Sequence, residues 1–337
     1  MLRSVDLIIW DEAPAQSRFT HEALDRTLKD VCDNELAPFG GKMVVLGGDF
    51  QQTLPVLPNG SREDIINISL PRSYLWKDIE VLRLRTNKCL LQSSDEECVF
   101  ADWLLAVSQA RSHGTNIDCD ATVSFDVNMR IPDADTLINA IYPNIDKVIP
   151  PPAYFLDRII LTARNADVEE LNTAILLCFP GQQSTFYSAD TVESDTNMYT
   201  DSDHIPIEYL RSLTPSGLPP GQLHLKQGCP LILLRNLAPA RSLCNGTRLI
   251  LHSASTRVLK VEILGGQHNG QITFIPRIAL TPSTQPGITF RLRRHQLPIR
   301  LAFTLTINKA QGQTVHFVGV DLHHPVFSHS QLYVALS

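Results

Sequence analysis

Two adjacent carboxylates, Asp11 and Glu12, close the run Val5-Asp6-Leu7-Ile8-Ile9-Trp10 and are followed by Ala13-Pro14. A short β-branched run ending in acids predicts a buried parallel strand that delivers charge at its carboxyl end, the edge where open α/β sheets bind ligands. Paired carboxylates there can divide the labour of nucleotide hydrolysis, one holding Mg²⁺ through water and the other polarising the attacking water. Asp-Glu after a strand is equally an ordinary helix start. The run Met43-Val44-Val45-Leu46 leads into Gly47-Gly48-Asp49-Phe50-Gln51-Gln52, a second predicted strand end. Its Gln52 could meet the same phosphate without adding charge. Near the other end of the chain, the basic cluster Arg291-Leu292-Arg293-Arg294 precedes a buried run and then Ile307-Asn308-Lys309-Ala310-Gln311-Gly312-Gln313-Thr314. Such a turn can donate several N–H groups to phosphate oxygens without reading base sequence.

The elements that must position these groups are legible in outline. Thr20 is expected to cap a helix with Leu24, Leu28 and Val31 on its apolar face, and Pro38-Phe39-Gly40-Gly41 breaks the chain before the next strand. Strand, helix and strand make a βαβ unit and an α/β class with parallel sheet. Val81 to Leu90 reads as a further strand, and Phe100 to Val107 as a helix whose Phe100, Trp103, Leu104 and Val107 form a stripe suited to a core or to base stacking. Residues 108–153 are turn-rich and read as irregular. Order returns with the strand Arg158 to Asn165 and a helix opened by Asp167-Val168-Glu169-Glu170; Arg164 and Asn165 lie at that strand's end, as phosphate contacts or as a surface arginine and a cap. Gly181 to Pro220 reads as an exposed loop or linker. Five β-patterned segments follow, at 223–226, 230–235, 247–251, 258–264 and 271–276, with turns at Asn245-Gly246 and Gly265-Gly266, which predicts a small antiparallel barrel.

Asp11-Glu12 and Gly48-Asp49-Phe50-Gln51-Gln52 resemble motifs two and three of the petite-integration-frequency (PIF) DNA helicases, and Thr306-Ile307-Asn308-Lys309-Ala310-Gln311-Gly312-Gln313-Thr314 resembles motif five. Trp-Asp-Glu-Ala-Pro and Gly-Gly-Asp-Phe are closer still to the helicase part of Helitron transposon proteins. The resemblance implies two RecA-like parallel-sheet domains, the first truncated at its N-terminus, with a small β-barrel insertion in the second. Its implied boundaries are 1–90 for the first, 91–153 for a connection, 154–220 with 291–337 for the second, and 221–290 for the barrel. It implies ATP and Mg²⁺ as cofactors: Asp11 holds the metal, Glu12 and Gln52 are catalytic, and Asp49, Gln311 and Gly312 line the nucleotide. Single-stranded DNA is the implied partner, met by Arg164, Asn165, Arg293, Arg294, Lys309 and Thr314, with movement 5′ to 3′ in the nucleus or mitochondrion. Two features depart from the pattern. Lys88-Cys89 stands where relatives carry an arginine finger, and no Gly-x-x-x-x-Gly-Lys-Ser/Thr occurs; Gly40-Gly41-Lys42-Met43 fails at Met43. The phosphate loop is expected before Met1, and a second arginine after Ser337, as in the remainder of a longer transposon-type polypeptide.

The chain has 337 residues, 43% of them hydrophobic, which suffices for two or three domains with cores. No apolar run approaches a membrane span, and no signal peptide is expected. Seven cysteines without a Cys-x-x-Cys pair predict thiols in a reducing compartment. Net charge is −6, but its distribution is uneven: Tyr209 to Val320 holds thirteen Lys/Arg and one acid, Glu262, against 16 basic and 34 acidic residues elsewhere. That segregation fits either a polyanion-binding third or neutralisation of acidic segments within the fold. Two functions follow as expectations: a portion of an ATP-dependent 5′-3′ DNA helicase, inactive as this isolated chain, or a catalytically dead transposon-derived nucleic-acid-binding protein.

Overall fold

The computed structural model describes residues 2–57, 60–84, 86, 95–108, 123, 125–193, 205–215, 217–282, 290–327 and 330–337. The chain divides into two compact units, Met1–Met129 with Pro325–Ser337, and Arg130–His324. In chain order the first contains β1 (Leu7–Trp10), α1 (Arg18–Cys32), β2 (Met43–Leu46), α2 (Arg62–Ile68) and α3 (Asp95–Ser108). The second contains α4 (Ala134–Ile141), α5 (Pro152–Leu156), β3 (Arg158–Thr162), α6 (Asn165–Cys178), β4 (Ser184–Tyr187), β5 (Ala189–Glu193), α7 (Ile207–Ser212), β6 (Gln222–Leu225) and β7 (Pro230–Leu233). It continues with β8 (Arg248–Ala254), β9 (Val258–Leu264), β10 (Ile272–Pro276), β11 (Ile278–Leu280), β12 (Arg291–Gln296), β13 (Ile299–Leu301), β14 (Thr304–Thr306), α8 (Ile307–Ala310) and β15 (Phe317–Asp321). The final helix, α9 (Gln331–Leu336), belongs to the first unit, where it packs on α3.

In the first unit the expected βαβ step is present, with β1 and β2 parallel and Trp10 opposite Leu46. The strands are not buried as expected. Ile8 and Val44 pack toward Leu28, Phe39 and Leu75, but Leu7, Ile9, Met43 and Val45 are exposed, because a two-stranded sheet has only one face covered by the described residues. Helix α1 begins earlier than the Thr20 cap predicts: Ser17 Oγ accepts from Phe19 N. Its buried face is His21, Glu22, Asp25 and Leu28, shifted from the expected Leu24, Leu28 and Val31. The shift is stabilised by polar satisfaction. Asp25 accepts from Phe39 N at 2.6 Å, Tyr74 Oη at 2.7 Å and Lys29 Nζ at 2.8 Å, and Glu22 accepts from Ser73 Oγ at 2.9 Å. Gly40 must stay bare where the chain crosses the helix, since a Cβ there would lie 2.4 Å from Leu28 O. Val81–Leu84 form no strand, and the Lys88-Cys89 substitution lies outside the described residues.

The second unit is built on a parallel sheet in the order β14-β3-β15, flanked by α4 and α6. Tyr142, Phe155, Phe179 and Phe303 form its aromatic core, and Tyr142 Oη donates to Phe303 O at 2.6 Å. Helix α4 falls in the stretch read as irregular; its Asp133 cap and buried Leu137, Ile138 and Ile141 are an ordinary helix signal. The expected linker at 181–220 carries β4, β5 and α7, while residues 194–204 and 216 of it are outside the described set. Four of the segments expected to form the barrel lie in a five-stranded antiparallel sheet in the order β10-β9-β8-β7-β13, which β13 joins. The segment expected to open the barrel forms β6, which pairs with β4. Among the described residues no helix is long and apolar enough to cross a membrane.

Candidate nucleotide and nucleic-acid site

In the first unit the exits of β1 and β2 are stitched together: Gly47 N donates to Trp10 O at 2.8 Å and Ala13 N donates to Gly47 O at 2.9 Å. This brings Asp11 and Glu12 beside the Gly-Asp-Phe-Gln-Gln loop, as the motif spacing predicts. Asp11 is exposed, and its Oδ1 accepts from Glu12 N at 2.9 Å. Glu12 is half-buried and left-handed, with φ 53° and ψ 35°, a conformation strained for a residue with a Cβ and concentrated at functional sites. Gly48 has φ 148°, and a Cβ there would lie 2.3 Å from Pro14 Cδ, so only glycine lets the loop lie on the Asp-Glu turn.

Asp49 organises its own loop. Its Oδ1 accepts from Gln51 N at 2.8 Å, its carbonyl from Gln52 N at 3.2 Å, and its Oδ2 from Tyr333 Oη at 3.5 Å. Burial, then the Asp49 charge, raises the Tyr333 pKa. Phe50 meets Trp76 edge-on at 5.9 Å. Tyr333 and Trp76 were not singled out by sequence, because contacts so distant along the chain leave no local signal.

Beneath the same edge, His21 is inaccessible to solvent and its ring lies 4.5 Å from Trp10. Burial depresses its pKa below the ordinary imidazole value, while the Ser17 backbone and Glu22 raise it by less. A lowered folded pKa means that the unfolded chain binds the proton better, so this contribution to stability is present at neutral pH and is lost as pH falls through about 6.5. We expect the denaturant midpoint of the first unit to drop between pH 7.5 and pH 5.5, and His21→Phe to flatten that dependence. An unchanged slope in the variant would show that His21 does not set it.

In the second unit the carboxyl ends of β3, β14 and β15 lie side by side, with Thr162 opposite both Thr306 and Asp321. Arg164 and Asn165 follow β3, and Lys309, Gln311 and Gly312 follow β14, so the parallel register gathers these sequence-chosen residues at one edge. Arg164 forks onto Asp167, Nε to Oδ2 at 3.2 Å and Nη2 to Oδ1 at 3.1 Å, and His324 adds Nδ1 at 3.2 Å. Arg164 first, and His324 as well, hold the Asp167 carboxyl below its ordinary pKa. Asn165 is the first residue of α6, exposed, and not its cap. Lys309 is exposed as a residue, yet burial, and then the neighbouring Arg300, lower its pKa, with Glu169 opposing. Gly312 is left-handed at φ 76° and exposed, and Thr314 is exposed. Asn172, in the middle of α6, holds the opposite, amino end of β14: it accepts from Thr304 N at 2.9 Å and donates to Thr304 O at 3.1 Å.

Arg294 is a correction. Strand alternation puts Arg293 on the outer face of β12 and Arg294 on the inner one, where it is fully buried. Its guanidinium binds both Asp190 oxygens and the carbonyls of Leu210, Leu213 and Pro219, so it does not reach DNA. Other cations of the basic third are also spent inside the fold. Lys226 donates to Phe179 O and Leu177 O at the end of α6, and Arg248 to Phe155 O and Arg158 O. Part of the positive charge of this third is therefore held inside the fold.

Mg²⁺ is commonly held by one or two carboxylates, with nucleotide phosphates and water completing its shell. A single exposed Asp11 at the strand end fits that donor set, and among the described residues no cluster of three or more His, Cys, Asp or Glu suggests a metal held by protein alone.

A PIF1-like helicase family model matches residues 1–117, and a model of the 2B domain of DNA helicase Pif1 matches residues 208–253. Human ATP-dependent DNA helicase PIF1 is 27% identical over 308 residues, 89% of this chain and 39% of that protein. The mouse protein of the same name is 30% identical over 181 residues, 52% of this chain and 24% of that protein, and Campylobacter jejuni Pif1 is 24% identical over 357 residues, 100% and 68%. The chain thus spans about a quarter to two fifths of the mammalian relatives it matches. Among solved structures, the Bacteroides Pif1 helicase in complex with ADP-AlF3 and ssDNA superposes with TM-score 0.67 at 21% identity, covering 99% of this chain and 68% of that one. Candida albicans Pif1 gives 0.61 at 21%, covering 99% and 70%. The α/β, RecA-like fold is the one expected from the motifs.

Proposed function

Because the chain is a relative of the PIF1-like helicases, we propose that it forms part of an ATP-dependent DNA helicase that couples MgATP hydrolysis to 5′-3′ movement on single-stranded DNA. Asp11 holds Mg²⁺, Glu12 orients the attacking water and Gln52 meets the terminal phosphate. Asp49 shapes the loop that presents Gln52, and Gln311 and Gly312 lie against the nucleotide. Magnesium, when bound with ATP, supplies neutralisation of phosphate charge. Lys309, Thr314, Asn165 and the exposed Arg293 meet the DNA backbone, with Arg164 steadied by Asp167. The work is done in the nucleus or mitochondrion.

The observation that carries this reading is the pair of hydrogen bonds joining the exits of β1 and β2, which keeps two carboxylates and an amide loop at one edge. A second reading, a nucleic-acid-binding protein without turnover, draws on Lys88-Cys89 at the place where the resemblance implies an arginine finger.

Both readings require contact with phosphate backbone, so the chain is expected to bind oligo-dT and mixed single strands alike, with affinity falling steeply between about 50 and 200 mM salt. Lys309→Ala should weaken binding uniformly across sequences and lower the salt slope by about one. Fluorescence anisotropy measures both. Affinity that is flat with salt would remove the nucleic-acid role.

A further inference from the structure

An open depression of about 740 Å³ in the second unit is lined by Thr185 to Tyr187 of β4, by Thr256 to Val258, by Pro276 and Arg277, and by His295 of β12. Its lining contains Arg257, Arg277 and His295 and no acid. Arg277 is held by carbonyls: Nε donates to Thr256 O at 2.6 Å and Nη1 to Tyr187 O at 2.7 Å. A guanidinium fixed by neutral acceptors keeps its charge uncompensated and its direction set, unlike Arg294 with its carboxylate. Burial accordingly lowers the Arg277 pKa. Beside it Tyr187 is 51% exposed, and the Arg211 guanidinium lies 5.1 Å from its ring centroid. His295 stands on the outer face of β12 with Arg293, so positive surface continues away from the depression along the strand.

A fixed cation beside an exposed aromatic ring, in an open rather than enclosed site and continued by a basic strand face, matches the needs of a flexible polyanion with stacking bases. We propose that this depression is a second single-stranded nucleic-acid subsite, in which Arg277 and Arg257 take a backbone phosphate and Tyr187 stacks a base. It lies apart in sequence from the Lys309 turn and rests on the nucleic-acid-binding reading given above.

The test uses the full 337-residue chain and fluorescein-labelled oligo-dT of about 16 nucleotides, with Tyr187→Ala, Tyr187→Phe, Arg257→Ala and Lys309→Ala compared by anisotropy over a salt series. Tyr187→Ala should weaken binding roughly tenfold, while Tyr187→Phe keeps it. Arg257→Ala should lower the salt slope by about one. Because Tyr187→Ala could disturb the Arg277 contact, the unmodified protein is also irradiated with 5-iodouracil-substituted oligonucleotide, and a crosslink is expected in the peptide carrying Tyr187. If Lys309→Ala weakens binding but both Tyr187→Ala and Arg257→Ala bind normally and no such crosslink forms, the subsite is overturned and the first reading stands. If Lys309→Ala is silent while the Tyr187 and Arg257 effects and the crosslink appear, the subsite stands and the role given to Lys309 falls. Absence of any binding overturns both.

Discussion

Supplied with MgATP and single-stranded DNA, the 337-residue chain is expected to release phosphate at no measurable DNA-stimulated rate. Phosphoryl transfer requires little covalent chemistry from a protein. It depends on groups that hold the phosphates and absorb the charge that spreads over them in the transition state. In the proposed reading Asp11, Glu12 and Gln52 place metal and water, but a lysine and a row of backbone amides must still cradle the phosphates, and no Gly-x-x-x-x-Gly-Lys-Ser/Thr loop lies within these residues. An arginine finger alone is worth about 10³–10⁵ in rate, and Lys88-Cys89 stands where the motif resemblance implies one. Lysine lacks the planar fork of a guanidinium and does not replace it. A phosphate-release assay at saturating DNA measures the rate. Clear turnover that vanishes in Glu12→Gln would refute the expectation and would mean that other groups in the chain cradle the phosphates.

The second large effect is on stability. Arg294→Met is expected to lower the unfolding free energy by about 3–5 kcal/mol, because Asp190 would remain buried with its charge unpaired. For a domain whose whole stability is about 5–15 kcal/mol, that is enough to populate the unfolded state. Both side chains are fully inaccessible, and the guanidinium also ties three backbone carbonyls together. Arg293→Met, one residue away but on the outer face, should change stability by no more than about 0.5 kcal/mol. Denaturant unfolding followed by circular dichroism separates the two. The double variant Arg294→Met with Asp190→Leu should recover much of the loss, since a buried ion pair and a packed apolar pair are often of similar stability. Equal effects of Arg293→Met and Arg294→Met would contradict the assignment of the two faces.

The sequence by itself determined what is local. Acids at the end of an apolar run, a glycine-aspartate loop after the next run, and the Lys-Ala-Gln-Gly turn after a third are each written within about a dozen residues, and the structure places each at a carboxyl end of parallel strands. The βαβ order and the α/β class followed from the same short-range patterns. Local pattern also carried one signal that was passed over, the Asp133 cap and apolar spacing of α4.

Tertiary structure alone decided which polar groups are turned inward. Arg293 and Arg294 are indistinguishable as letters, yet a strand sends them to opposite faces, and the Asp190 that claims the inner one lies 104 residues away. The buried face of α1 likewise takes in Asp25 and Glu22, which Phe39, Ser73 and Tyr74 satisfy, beside Leu28 and the partly buried Leu24. The first of the segments expected in the barrel, β6, pairs instead with β4, and β13 pairs with β7. In each case the deciding partner lies outside the local window that sets a sequence pattern, and for Arg294, Asp190, Asp25 and Glu22 burial is tolerated because that partner supplies the hydrogen bond.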